Sequence, residues 1–251
     1  MLVVEDLSKV FRRGRWHRPV TVLRNVGFAV APGEAFGLVG PSGSGKSTVA
    51  RIIMRLAKPT GGRVFYKGVE YTAFSPRRFA PYRRKFQIIF QQPTLALDPR
   101  RTVYDAIAEP LYVHGLVHSH REAGERVSEL LALTNLPEEV LPRYPYQISG
   151  GQAQRVVIAR ALGMEPELIV ADEPTSMLDL SVQAQILSLL KRLQNERGMS
   201  ILLISHDPAV VRVFCDRVAV LQDGAVTACG RPAQVLKADE SRTKTIRRGF
   251  S

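Results

Sequence analysis

The sequence of 251 residues predicts an α/β fold, on three observations. Short apolar runs that read as buried strands alternate with segments whose apolar residues recur at the helical spacing of about 3.6, and this alternation implies a mostly parallel sheet covered on both faces. The stretch from about Gln92 to Leu162 is helix-rich and lacks comparable strands, which predicts a separate helical subdomain. The run Ala35 to Val39 leads through a glycine-rich loop straight into a helical pattern.

Taken in order, strands are expected around Leu2 to Val4 and over Val20 to Val30, with a basic, glycine-containing loop between them from Arg12 to Pro19. Pro32-Gly33 turns the chain into the buried strand Ala35 to Val39. A loop over Gly40 to Gly45 precedes a helix over Lys46 to Ala57. The apolar strand Phe86 to Phe90 ends at Gln91 and Gln92, and a proline-rich loop runs on through Pro99. Thr102 to about Leu133 has a helical pattern broken at Pro137 and Pro142, and Gln154 to Leu162 reads as a further helix. Leu168 to Ala171 is a short buried strand, Val182 to Glu196 a helix, and Ser200 to Ile204 a strand. Asp223-Gly224 joins Val218 to Leu221 and Ala225 to Ala228 as a hairpin.

Hydrophobic residues are 45% and charged residues 23%, an ordinary globular balance. The formal charge of +12 and a pI near 10.1 favour anionic partners, without choosing among nucleotides, nucleic acid and acidic lipid headgroups. The basic residues form short clusters (Arg12, Arg13, Arg15 and Arg18; Arg77 and Arg78; Arg83, Arg84 and Lys85; Arg247 and Arg248) rather than a polybasic arm, so no nucleic-acid partner is expected. Two cysteines, Cys215 and Cys229, have no metal-like spacing and suit a reduced compartment. Met1 to Val10 lacks the features of a signal peptide, and no apolar run reaches the roughly 18 residues that cross a bilayer.

Gly40-Pro41-Ser42-Gly43-Ser44-Gly45-Lys46-Ser47-Thr48 fits the phosphate-loop pattern, after a strand and before a helix as that pattern requires. Its glycines let backbone N–H groups point inward, and the helix N-terminus adds partial positive charge. Lys46 would reach the β- and γ-phosphates, Ser47 would place its hydroxyl on Mg²⁺, and Thr48 would face the α-phosphate.

Asp172 and Glu173 leave an apolar strand at its carboxyl end, where doubly wound folds bind ligands. Two surface acids after a strand are unremarkable alone. Beside a phosphate loop, Asp172 would hold Mg²⁺ through its water shell and Glu173 would accept a proton from, or orient, the attacking water. His206 would sit at the end of a neighbouring strand, close to the γ-phosphate. Gln91, at another strand exit, can ligate Mg²⁺ or orient water.

Ile148-Ser149-Gly150-Gly151-Gln152, before a helix and upstream of the acidic strand, resembles the signature sequence of the ABC ATPase family, with Ile where the family usually has Leu. The resemblance runs from about Leu2 to Gly230 with the motifs in the family's order. It identifies Gln91 with the Q-loop, Asp172 and Glu173 with the Walker B motif, Ser176-Met177-Leu178-Asp179 with the D-loop and His206 with the H-loop. Met177 departs from the usual Ala of the D-loop. Phe11 fits the aromatic position that stacks on adenine, with Trp16 a weaker rival. Phe90-Gln91-Gln92-Pro93, Leu97-Asp98-Pro99-Arg100, Tyr144 to Gln152 and Ser181 to Ile186 resemble the dipeptide, oligopeptide and nickel importer branch, although the His-Pro-Tyr extension frequent there is missing.

The resemblance implies a P-loop NTPase (RecA-like) core with an N-terminal antiparallel β subdomain and an inserted α-helical subdomain. The expected division is one ABC domain: a core of 1–91 and 163–237, a helical signature subdomain of 92–162 and a basic tail of 238–251. It also implies ATP and Mg²⁺ as ligands and head-to-tail pairing, in which Ser149 and Gly151 of one cassette close over the γ-phosphate held by an identical or related cassette. The resemblance places Gly150, Gln152 and Asp179 with them among the expected nucleotide-binding residues. Transmembrane permease subunits are the expected direct partners and a substrate-binding protein an indirect one, with the chain peripheral on the cytoplasmic side of the membrane. The rival readings are an ABC ATPase of a nucleic-acid or ribosome-associated kind, which usually carries fused cassettes or coiled-coil insertions, and a subunit of a soluble enzyme complex. His114, His118 and His120 suggest a metal site if His114 and His118 share a helix face, but no Cys or acid completes a ligand set.

Overall fold

The computed structural model describes residues 1–12 and 18–236. Arg13, Arg15 and Trp16 of the basic loop, and the tail 238–251 with Arg247 and Arg248, lie outside the described residues.

Two sheets form the frame. The first is antiparallel, in the order β2 (Val20–Val30), β1 (Leu2–Phe11), β4 (Gly61–Tyr66), β5 (Val69–Glu70). The second has the order β10 (Ala225–Gly230), β9 (Arg217–Gln222), β3 (Ala35–Val39), β8 (Ser200–Ser205), β7 (Leu168–Asp172), β6 (Phe86–Ile89). Its strands are parallel except β10, which closes the expected hairpin against β9. Alternate side chains feed two cores. Ala35, Val39, Ile169, Ala171, Ile201 and Leu203 face one, packed with α3 (Val103–Val113), α4 (His120–Leu133), α5 (Gly150–Gly163), α6 (Leu180–Arg197) and α7 (Pro208–Phe214). Phe36, Leu38, Leu168, Val170, Leu202 and Ile204 face the other, with α1 (Lys46–Ile53) and the antiparallel sheet. A short α8 (Pro232–Val235) follows β10. Strands buried on both faces are why these runs read as continuously apolar.

Several boundaries differ from expectation. β1, paired with β2 on one side and β4 on the other, runs on to Phe11 past shifts of register and Asp6 at φ 50°, and these irregularities break the clean alternation. The phosphate-loop helix stops at Ile53: Arg55 takes φ 58°, and its guanidinium donates to the carbonyls of Thr72 and Phe74. The pattern from Thr102 to Leu133 is two helices, α3 capped by Thr102 and α4 by Ser119, separated at Gly115 with φ 64°. His114 therefore follows α3, His118 lies in the connection and His120 opens α4, where it stacks on Tyr104. The helix face that would join His114 to His118 does not exist. α5 starts at Gly150 rather than Gln154, since Ser149 and Gln152 form a reciprocal capping box.

Between Ala57 and Phe86, where periodicity predicts no element, the chain forms β4, β5 and α2 (Pro76–Lys85). In α2 only Phe79 is fully buried among exposed arginines, so the apolar stripe is too thin to register. Phe79, Tyr82, Phe86, Tyr66 and Tyr71 stack into one aromatic cluster that joins α2 to both sheets.

Glu167, just before β7, fastens the same junction. Its carboxylate accepts from the Tyr66 hydroxyl and from Lys67, both at the end of the antiparallel sheet, and from Lys85 Nζ at 2.9 Å. Burial opposes ionisation, but hydrogen bonds from Lys67, Tyr66 and Lys85 outweigh it and bring the carboxyl to about 2. A folded-state value below the ordinary carboxyl range means that the stabilisation is complete above about pH 4.5 and is lost as pH falls towards 2. Discounted for solvent screening, it is about 1 kcal/mol, or roughly 2–4 °C in a domain of this size. Glu167→Gln is expected to show a smaller fall in melting temperature than the parent between pH 5 and pH 2.5; equal falls would remove Glu167 from this role.

Candidate functional site

Parallel register brings the site together. Val39 pairs with Ser205 and Asp172 with Ile204, so the exits of β3, β7 and β8 are adjacent. The phosphate loop, Asp172-Glu173 and His206 leave from these three ends. β6 lies beyond β7, with Ile89 opposite Ala171, and delivers Gln91 two residues further on. A cleft of 310 Å³ lies there, lined by Ser42, Gly43, Gly45, Lys46, Ser47, Thr48, Gln91, Glu173 and Val22 of β2.

The loop is built by close backbone approaches. A Cβ on Gly40 would lie 2.0 Å from the Leu221 carbonyl oxygen, and one on Gly45, at φ 106°, would meet Leu23 at 2.6 Å. Lys46 is 5% exposed and donates through Nζ to the carbonyls of Gly40 at 2.8 Å and Pro41 at 2.9 Å. Burial lowers its pKa, opposed by the negative charges of Glu173 and Asp172. The buried Ser44 hydroxyl has no hydrogen-bond partner among the described residues. An enclosed ammonium, an unpartnered hydroxyl and a glycine wrap at a helix start fit an oxyanion.

Ser47, from the cleft lining, donates to Asp172 Oδ1 at 3.2 Å. Burial raises the Asp172 pKa, the Ser47 hydrogen bond opposes that, and the neighbouring Glu173 adds to it. A half-buried carboxylate with an adjacent hydroxyl is a hard-oxygen donor pair suited to Mg²⁺. Glu173 sits at φ 51° in the left-handed region, with its N–H on the Ile204 carbonyl at 2.9 Å. Non-glycine residues rarely accept that conformation without a local reason. Here it turns the carboxylate towards His206, whose Nδ1 lies 3.1 Å from Oε1.

The remaining sequence-derived candidates lie outside this cleft. Ser149 caps α5, and Ser149, Gly150, Gly151 and Gln152 are not among the cleft's lining residues. A Cβ on Gly151 would lie 2.7 Å from Val182, so the glycine lets the signature turn sit against the start of α6. Asp179 caps that helix, accepting from the N–H groups of Ser181 and Val182 at 3.0 Å, and lines a second hollow with Glu173 and His206. Asp179→Ala is expected to cost about 1 kcal/mol in a urea titration while Asp179→Ser retains most of the stability; equal losses would show that capping is not the residue's contribution. Phe11 ends β1 opposite Val20 and is 42% exposed. Met177 and Leu180, either side of Asp179, and Tyr146, shortly before the signature turn, are exposed apolar groups.

The family model described as ABC transporter matches residues 23–176. The chain is 40% identical over 235 residues to the oligopeptide transport ATP-binding protein OppF of Streptococcus mutans, covering 94% of this chain and 76% of that protein. The OppF of Lactococcus lactis is 44% identical, with 92% and 73% covered. Among solved structures, the ATP-binding cassette MJ0796, a dimer in a post-hydrolysis state with ADP and Pi, superposes with a TM-score of 0.84 at 35% identity, over 92% of this chain and 99% of that one. The family match spans the phosphate loop, the signature turn and the acidic strand end, the relatives extend it over most of the sequence, and the chain accordingly belongs to the ABC transporter family.

Proposed function

We propose that this chain is the ATP-hydrolysing subunit of a peptide importer and works as one of two paired cassettes. The observation that carries the reading is the separation of two phosphate-suited helix starts. One, at Lys46, shares a cleft with Gln91 and Glu173, and the other, at Ser149, is absent from that cleft's lining. A single nucleotide leaves the second without a role, and head-to-tail pairing supplies one. The dimeric MJ0796 cassette supports pairing of two cassettes, and the names of the OppF relatives support peptides as the cargo.

In this mechanism the loop N–H groups and Lys46 bind the β- and γ-phosphates, and Phe11 stacks on the base. Ser47, Asp172 and Gln91 would hold Mg²⁺, which supplies charge neutralisation at the phosphates when bound. Glu173 accepts the proton of the attacking water, and His206 orients Glu173 while facing the γ-phosphate. Catalysis rests on positioning and on electrostatic stabilisation of the transferring group. Ser149 and Gly151 complete the partner's site, with Asp179 and Met177 at the junction between the two sites. In this reading the core of 1–91 and 163–237 carries the nucleotide, the subdomain of 92–162 presents the signature to the partner cassette, and the Gln91 to Leu97 region receives a permease coupling segment on the cytoplasmic side of the membrane.

No helix among the described residues is long and apolar enough to cross a bilayer. The importer reading calls for transmembrane permease subunits as partners. Affinity purification of the tagged protein from detergent-solubilised membranes tests this: recovery of a polytopic membrane protein is expected, and recovery of RNA or of a soluble enzyme complex instead would overturn the importer reading.

A further inference from the structure

The residue two before Phe11 on the same face of β1 is Lys9, and its ammonium lies 4.8 Å from the centre of the Phe11 ring. The same Nζ donates to the Lys58 carbonyl at 2.7 Å, so it is held in place rather than free in solvent. The strand end is gripped twice more from that segment: Val10 N–H donates to Thr60 Oγ1 at 2.9 Å, and Thr60 N–H to the Ser8 carbonyl at 2.8 Å. The gripping segment, Lys58 to Thr60, follows the helix that starts at Lys46. One short stretch of chain thus links the phosphate loop to the tip of β1.

We infer that Lys9 is a positioning residue for the nucleotide base: its ammonium covers one face of Phe11 and holds the ring, leaving the other face as the stacking platform. The physical basis is the attraction of a cation for an aromatic quadrupole, which fixes the ring against rotation and draws electron density from the face left open. An electron-rich purine stacks better on such a face. Anchoring through Lys58 keeps the ring at a constant distance from the phosphate loop, so base and phosphates are engaged together.

The inference rests on the reading of Phe11 as the base platform, and the experiment separates the two. Equilibrium binding of ATP and of inorganic tripolyphosphate is measured on the full chain carrying Lys9→Met, Lys9→Arg or Phe11→Ala. Lys9→Met keeps the aliphatic stem and removes the charge. It is expected to weaken ATP binding about two- to fivefold, the value of an exposed cation–π contact, and to leave tripolyphosphate binding unchanged. Lys9→Arg is expected to restore ATP affinity, and KM should rise in Lys9→Met without a fall in kcat. An unchanged ATP affinity in Lys9→Met, with loss in Phe11→Ala, would overturn the role of Lys9 while keeping the platform. No loss in Phe11→Ala would remove the platform and the inference with it. Equal weakening of ATP and tripolyphosphate in Lys9→Met would assign the lysine to the fold rather than to the base.

Discussion

Glu173→Gln is expected to abolish steady-state ATP turnover, by about 10²–10⁴-fold, while ATP binding survives. The substitution preserves the size of a side chain whose carboxylate is directed at His206 from a left-handed backbone position. It removes the one property that proton acceptance needs. Affinity for ATP should hold or rise, because a negative charge near the phosphates is deleted while Lys46, with its contacts to Gly40 and Pro41, is untouched. If hydrolysis is what separates paired cassettes, the variant should accumulate as a dimer in Mg-ATP by light scattering. A monomer with intact ATP binding would place the complementary signature on a non-identical cassette, as the peptide and nickel branch it resembles often has. Turnover at the parent's rate would take Glu173 out of the proton-accepting role.

The parts of the fold legible in the sequence are those where one physical signal dominates. The central strands Ala35–Val39, Leu168–Asp172 and Ser200–Ser205 are apolar throughout because both faces are covered, and their exits carry the phosphate loop, Asp172-Glu173 and His206. Motif spacing alone points to these strand exits, and a cleft lined by Lys46, Gln91 and Glu173 lies beside them. The less legible parts depend on contacts distant in sequence. β4 alternates correctly, with Val64 and Tyr66 inward, but over so few residues that only its pairing with β1 identifies it. α2 is held by an aromatic cluster drawn from both sheets, and its own sequence is mostly arginine and proline. The end of α1 depends on Arg55 reaching carbonyls beyond β5. The left-handed turn at Glu173 and the capping role of Asp179 likewise have no one-residue signature. Glu173 is named in the sequence by its place at a strand exit and Asp179 by the D-loop resemblance, and only the structure distinguishes a carboxylate aimed at His206 from one that caps a helix.

Gly40→Ala should be the most damaging of the small substitutions in the phosphate loop, and the reason is backbone rather than glycine flexibility. The added Cβ would lie 2.0 Å from the Leu221 carbonyl oxygen and 3.0 Å from Ser44 Oγ. Leu221 belongs to β9, which is paired on both sides, so the strand cannot easily yield. The loop must move instead, and with it the Gly40 carbonyl that accepts from Lys46. Overpacking of this kind costs about 1–3 kcal/mol of stability, and displacing Lys46 should weaken ATP binding by at least about tenfold. Gly43→Ala is the control: its Cβ meets nothing within 4 Å, and only its φ of 80° is unfavourable, a penalty of about 1–2 kcal/mol confined to the turn. Melting temperature and ATP affinity measured on both variants decide the matter. Loss of affinity in Gly40→Ala well beyond that in Gly43→Ala fits a loop pinned against β9, whereas equal losses would mean that backbone conformation, not the approach to Leu221, governs the site.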